Sequence, residues 1–259
     1  MTSHPVSAQA QPAGSARLRW MAVVSLAVVL AACGDDAQTN AERTLTPAES
    51  AMLANALFEN VERGGATFAL AVQVGDGASI NLQGEVDWVE HLGYAQVSAR
   101  AVEQGVREVF WSDDAVLEAR DDLDPLLRQA GLPDAPWVVR DPDPVGRQLD
   151  QTLALVTGLA SEQRDNPVLI EQEPGSAFVR TDTLRGTDVV VLRYGQAATY
   201  WLAADDGRML RFESDNSTGT RPVVFDVLEF REVTIDGPPV ELITDVADLG
   251  DIYPAALAT

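Results

Sequence analysis

From Ala66 onward the apolar residues of this chain alternate with polar ones, and that period of two dictates a protein built mainly from half-buried β-strands. Phe68, Leu70, Val72 and Val74 fall on one side of the first such segment, 66–74. Gly75-Asp76-Gly77 is a hairpin-type turn, after which Ile80, Leu82, Val86 and Trp88 continue the alternation. Gly84 interrupts it and is read as a β-bulge. Segments 93–102, 105–111 and 115–119 follow with connections too short for a parallel crossover, so consecutive strands pair antiparallel as a meander. The pattern returns at 175–183, 187–194, 197–203, 208–214 and 221–233, with Asp205-Asp206-Gly207 as a second strong turn. Residues 236–259, with Pro238, Pro239 and Pro254, read as a trailing segment.

Helical spacing occurs before and between these runs. Thr46-Pro47-Ala48-Glu49 is a capping box with proline at the first helical position. Met52, Leu53, Leu57, Phe58 and Val61 then recur along one face, and Gly64-Gly65 closes the helix. In the middle, 122–130 reads as a short helix ended by Gly131 and Pro133, and Trp137-Val138-Val139-Arg140 as a short extended piece. Asp143-Pro144 opens a helix to about Ala160, with Val145, Leu149, Leu153, Val156 and Leu159 on its apolar face. No repeat of fixed period and no linker divides the chain. The fold class is therefore α+β in one domain: a helix, a large antiparallel sheet, a helical insertion and more sheet.

The N-terminus carries a different instruction. Arg17 and Arg19 precede an apolar run, Trp20–Leu30, that is short of the ~20 residues a membrane-spanning helix needs. The run ends in Leu30-Ala31-Ala32-Cys33, followed by Gly34-Asp35-Asp36, which resembles a lipobox. Residues 1–32 are then a lipoprotein signal peptide, 33–45 a flexible polar tether, and 46–259 the folded domain. Cys33 is the only cysteine, so no internal disulfide is available to it, and a diacylglyceryl thioether explains why an exported chain would carry a single thiol. Two or more acyl chains anchor far more firmly than one. The expectation is a protein held by Cys33 at the outer face of the plasma membrane.

Charge narrows the partners. The chain has a net charge of −22 with no lysine, and loss of Arg17 and Arg19 makes the remainder more negative still. Such a surface repels nucleic acid and anionic headgroups, so neither is an expected electrostatic partner. The composition fits a high-GC genome. Catalysis finds little to work with. His4 is lost with the signal, and His91 sits beside Glu90 in a turn. With so few histidines and one cysteine, a zinc site or a Ser-His-Asp triad is not expected. Asp113-Asp114 and Asp205-Asp206 match no calcium-loop spacing. Asn216-Ser217-Thr218 fits a glycosylation sequon, which means little in a bacterium. The expectation is a protein that is not an enzyme, with no cofactor and no metal.

The order of elements resembles the LppX/LprG group of mycobacterial lipoproteins, whose half-barrel fold is shared with the carrier LolA and the regulator RseB. The resemblance is carried by Gly105-Val106-Arg107-Glu108-Val109-Phe110-Trp111, by Trp137 and Asp143-Pro144 ahead of a helix, and by Leu184-Arg185-Gly186-Thr187-Asp188-Val189-Val190. The hairpin from Tyr200 through Asp205-Asp206-Gly207 to Phe212 completes it. It implies a strongly curved antiparallel sheet packed on helices, with an apolar cavity between them for a lipid, glycolipid or lipoglycan. The residues that would line it are Phe68, Leu70, Val72, Leu82, Val109, Trp111, Val190, Leu192, Trp201, Leu210 and Phe212. Residue by residue, ordinary core is the stronger reading, because core and cavity wall share one composition. Two functions stand: envelope lipid binding and transport, or a sensory or protein-interaction lipoprotein with an envelope protein partner. An open cavity favours the first, and a filled interior with an exposed apolar patch the second.

Overall fold

The computed structural model describes residues 41–74, 77–103, 105–215, 222–250 and 253. The signal peptide, Cys33, the Gly75-Asp76 turn and the sequon lie outside the described residues. Helix α1 (Pro47–Glu62) starts as its sequence dictates: the Thr46 side chain accepts from Glu49 N–H and Glu49 reaches back to Thr46 N–H. Then follow β1 (Gly65–Gln73), β2 (Ser79–Asp87), β3 (Leu92–Arg100), β4 (Val106–Trp111) and β5 (Val116–Arg120). The helical insertion consists of α2 (Leu123–Ala130), β6 (Trp137–Arg140), α3 (Gln148–Gly158) and α4 (Pro167–Gln172). The last third holds β7 (Ala177–Leu184), β8 (Thr187–Tyr194), β9 (Ala198–Ala203), β10 (Met209–Asp215) and β11 (Pro222–Phe230), then β12 (Ile243–Asp245) and α5 (Val246–Leu249).

All twelve strands form one sheet in the order β12-β6-β5-β4-β3-β2-β1-β11-β10-β9-β8-β7. Two meanders, β1 to β6 and β7 to β11, are joined where β1 pairs with β11. The outermost strands, β12 and β7, do not meet, so the sheet curves without closing into a barrel. Its curvature has identifiable causes. Register shifts at Thr67/Phe68, Val106/Glu108, Phe178/Arg180 and Met209/Arg211 each add a local bend and twist. Gly84 is not one of them: it pairs in register on both sides, and a Cβ there would sit 1.9 Å from the Tyr94 carbonyl oxygen. It is glycine because β3 approaches too closely for any side chain. Gly93 plays the same part under Trp111, whose ring atoms lie 2.0 Å from where its Cβ would be.

Helices cover one face of this sheet. Leu53, Ala54 and Ala56 of α1, Leu149, Leu153 and Val156 of α3, and Ile170 of α4 join the inward residues of β1–β5 and β7–β11 in a single buried cluster. A satellite core at the other end packs Leu123 and Leu127 of α2 against Val138, Leu249 and Tyr253.

Several sequence expectations need correction. The tether does not run to residue 45: Arg43 exchanges backbone hydrogen bonds with Phe178 (3.0 and 2.8 Å), and Leu45 is buried. Helix α3 begins at Gln148 rather than Asp143, and Val145 is 99% exposed because it lies in the turn before the helix. Helix α4, capped by Asn166 with Pro167 at its start, is too short to display a period and has no counterpart in the sequence reading. The segment after 236 does not simply trail off. It adds β12 parallel to β6, and it buries Leu249 and Tyr253.

Candidate functional site

The inward positions line up across strands. Phe178, Leu192, Tyr200, Phe212, Phe225, Leu70, Leu82 and Val97 are consecutive register partners from β7 to β3. Every side chain in that row is apolar or aromatic, so the helix-covered face is a continuous apolar surface. Phe68 stacks on Phe225 with ring centroids 5.3 Å apart and meets Trp111 edge-on at 6.4 Å. Trp111 brings an indole N–H to this face with no hydrogen-bond partner among the described residues. Burial pushes the Tyr200 hydroxyl up to about 12, so it stays protonated.

Nine of the eleven residues named as cavity wall lie here: Phe68, Leu70, Val72, Leu82, Val109, Trp111, Leu192 and Phe212 are buried, and Val190 is half-buried against them. The helices fill the space in front of them. Trp201 and Leu210 are a correction, because they face the other way in a cluster with Val189, Val191 and Ala203. In β9 the inward phase belongs to Tyr200 and Leu202. In β10 the shift between Met209 and Arg211 turns Met209 and Phe212 inward and leaves Leu210 outward. Trp201 is covered instead by guanidinium groups, Arg180 at 4.8 Å and Arg211 at 5.4 Å from its ring.

The outward row is chemically opposite. Arg180, Val191, Trp201, Arg211, Asp226, Ala69, Gln83, Gln96, Glu108, Ala119, Trp137 and Ile243 follow one another across all twelve strands. Arg211 and Arg185 both bond Asp226, at 2.9 Å. Where Ala69 and Ala71 stand between longer neighbours, a shallow groove of about 390 Å³ opens, walled by Asn81, Gln83, Gln96 and Ser98.

Sequence reasoning misses the buried charges at the β5–β6 end. Glu118, with no exposed surface, lies on the inner face and accepts from Arg140 (2.6 and 2.8 Å), Arg147 (2.7 Å), Arg120 (3.3 Å) and the Tyr253 hydroxyl (3.0 Å). Arg140 also bonds Asp150 in the first turn of α3, and Arg147 pairs with Glu103. Burial alone would raise the Glu118 carboxyl, but Arg140, Arg147 and Arg120 outweigh it and hold it below the usual range. Burial also drives the Tyr253 hydroxyl up, with the Glu118 charge adding to it, so it remains a donor. The network ties β5, β6, α3 and the C-terminal segment together. Its charges satisfy one another.

Among the described residues, no group of three metal-ligating side chains comes together, and no helix is long and apolar enough to cross a membrane. His91 lies on the surface, 3.3 Å from Asp113.

No family model matches the chain, and no curated protein sequence matches it. Solved structures similar to it include an uncharacterized conserved protein from Thermus thermophilus, at 11% identity and a TM-score of 0.36 over 72% of this chain and 95% of that one. MucB matches at 17% identity and a TM-score of 0.34 over 76% of this chain, which spans only 62% of MucB. The LolA superfamily protein NE2245 from Nitrosomonas europaea matches at 11% identity and a TM-score of 0.29, over 75% of this chain and 98% of that one. The fold described above rests on its own strand order and register: a large, curved, unclosed sheet with helices on one face, the half-barrel architecture.

Proposed function

We propose that this is a non-enzymatic binding protein of the cell envelope, anchored through Cys33, that takes an apolar ligand (a lipid, glycolipid or lipoglycan) against its helix-covered face. The observation that carries the reading is the inward row from Phe178 to Val97: an apolar surface eight strands wide, covered by separate short helices rather than by a second sheet. Burying its own tail against such a surface is the largest favourable term available to an acyl chain. The unpaired Trp111 indole supports the same reading. A buried donor without a partner costs about 1–3 kcal/mol, which a ligand carbonyl would recover. Because side chains of α1, α3 and α4 fill the face, the ligand enters only as these helices move aside.

The filled interior gives the second reading, a sensory or protein-interaction lipoprotein, its own support. Native mass spectrometry with organic extraction separates the two, on the chain from Gly34 onward secreted behind a cleavable signal. Co-purified lipid or glycolipid near one-to-one is the expected result. A clean unliganded mass from folded protein would transfer the function to the second reading. Anchoring is tested on the full chain: radiolabelled palmitate incorporates, and Cys33→Ser abolishes the label.

A further inference from the structure

We infer that the groove at the C-terminal end of α1 docks a positively charged peptide segment of a partner protein. The groove measures about 580 Å³ and lies between the last residues of α1, the β2–β3 turn and the strap that follows β11. Its floor is apolar, made by Val61, Leu92, Val233 and Ile235, with Val89 at its edge 55% exposed. An exposed valine beside an apolar trough is surface that a partner can cover.

The rim gives the partner its sign. Glu62, Glu90 and Glu232 border the groove, are exposed, and have no cationic partner among the described residues. The other charged neighbours are occupied. Asp87 accepts the backbone N–H groups of Val89 and Glu90 at 2.9 and 3.0 Å, and Arg63 bonds Asp206 at 3.2 Å while lying over the Phe230 ring, its buried Nε having no partner among the described residues. Arg63, the C-cap of α1, offsets the partial negative charge of the helix carbonyl end, so the net sign of the rim comes from the three glutamates. Three exposed carboxylates above an apolar floor call for cations spaced by apolar side chains. A hydrated metal ion would leave the floor uncovered, and an anionic headgroup meets the wrong sign. An Arg- or Lys-bearing peptide satisfies both surfaces at once.

The test is fluorescence anisotropy with a fluorescein-labelled peptide, Leu-Arg-Val-Arg-Leu-Arg-Val, titrated with the chain at low salt. Saturable binding is expected, weakened about tenfold by Glu62→Gln/Glu90→Gln/Glu232→Gln, since each exposed pair is worth up to ~1 kcal/mol. Val89→Ser is expected to weaken it by several-fold. A control variant at three exposed carboxylates elsewhere, Asp134→Asn/Glu171→Gln/Glu241→Gln, should bind within about twofold of the unaltered chain. The inference fails if the chain does not bind saturably or if both triple variants lose affinity equally. It also fails if a peptide with Glu for Arg binds as well, or if spermine displaces the peptide at matched concentration. All substituted side chains are exposed, and circular dichroism verifies that each variant is folded.

Discussion

The two faces of the sheet are made from the same strands, residue against alternate residue, yet they follow opposite rules. Inward, from Phe178 to Val97, size and apolarity are everything. Outward, from Arg180 to Ile243, charges, amides and small residues mix, and Trp201 is covered by arginines instead of by a helix. A strand of period two makes this separation free of sequence cost, because one register choice assigns every side chain. The inner face also breaks its own rule at one place. At the β5–β6 end the inward positions include Glu118, Arg120 and Arg140, and there pairing of charges interrupts the apolar packing.

The sharpest way to break that distinction is Glu118→Gln. It leaves Arg140, Arg147 and Arg120 facing one another without their shared carboxylate, and urea unfolding should register a loss of about 3–5 kcal/mol. Glu118 also sets a pH signature. Its folded-state pKa lies below the ordinary 4.5, so its stabilisation is in place above that value and is lost as pH falls through the lower folded value. Unfolding curves collected between pH 6 and 3 should show a steeper acid loss for the native chain than for the Gln variant, and parallel curves would mean that Glu118 is not held low.

Phe225→Ala removes the ring on which Phe68 stacks and is expected to cost about 3–5 kcal/mol in the same assay. Thr46→Ala removes only the cap of α1, at about 1 kcal/mol. Gln83→Ala, in the outward row, should stay within about 0.5 kcal/mol. If Gln83→Ala proved as damaging as Phe225→Ala, the outer face would have to be treated as a second core.

Much of the scaffold is legible in the sequence because local chemistry sets it. The capping box at Thr46 and Glu49 and the alternation from Phe68 to Val74 each need only neighbouring residues to be read. What stays hidden depends on distant partners. The run Tyr200-Trp201-Leu202-Ala203 is buried on both sides, so it carries no phase from which Trp201 could be read as outward. Val116-Leu117-Glu118-Ala119-Arg120 is likewise buried throughout, and a charged residue in a strand ordinarily signals solvent. The partners of Glu118 come from positions as far apart as Arg140, Arg147 and Tyr253, and no spacing rule links them. Gly84 misleads because a bulge and a close backbone approach demand the same residue.

The pairing of β1 with β11 has a consequence for how the protein comes into being. The strand at the middle of the finished sheet is the first strand made, and the neighbour that covers its second edge, Ala66 against Phe230, comes last but one. An emerging chain therefore carries an open, apolar β1 edge while nearly all of the remaining sheet is synthesised. Closing that junction brings together residues far apart in sequence, the kind of contact that makes folding slow. The chain depends on being kept from self-association until β11 arrives.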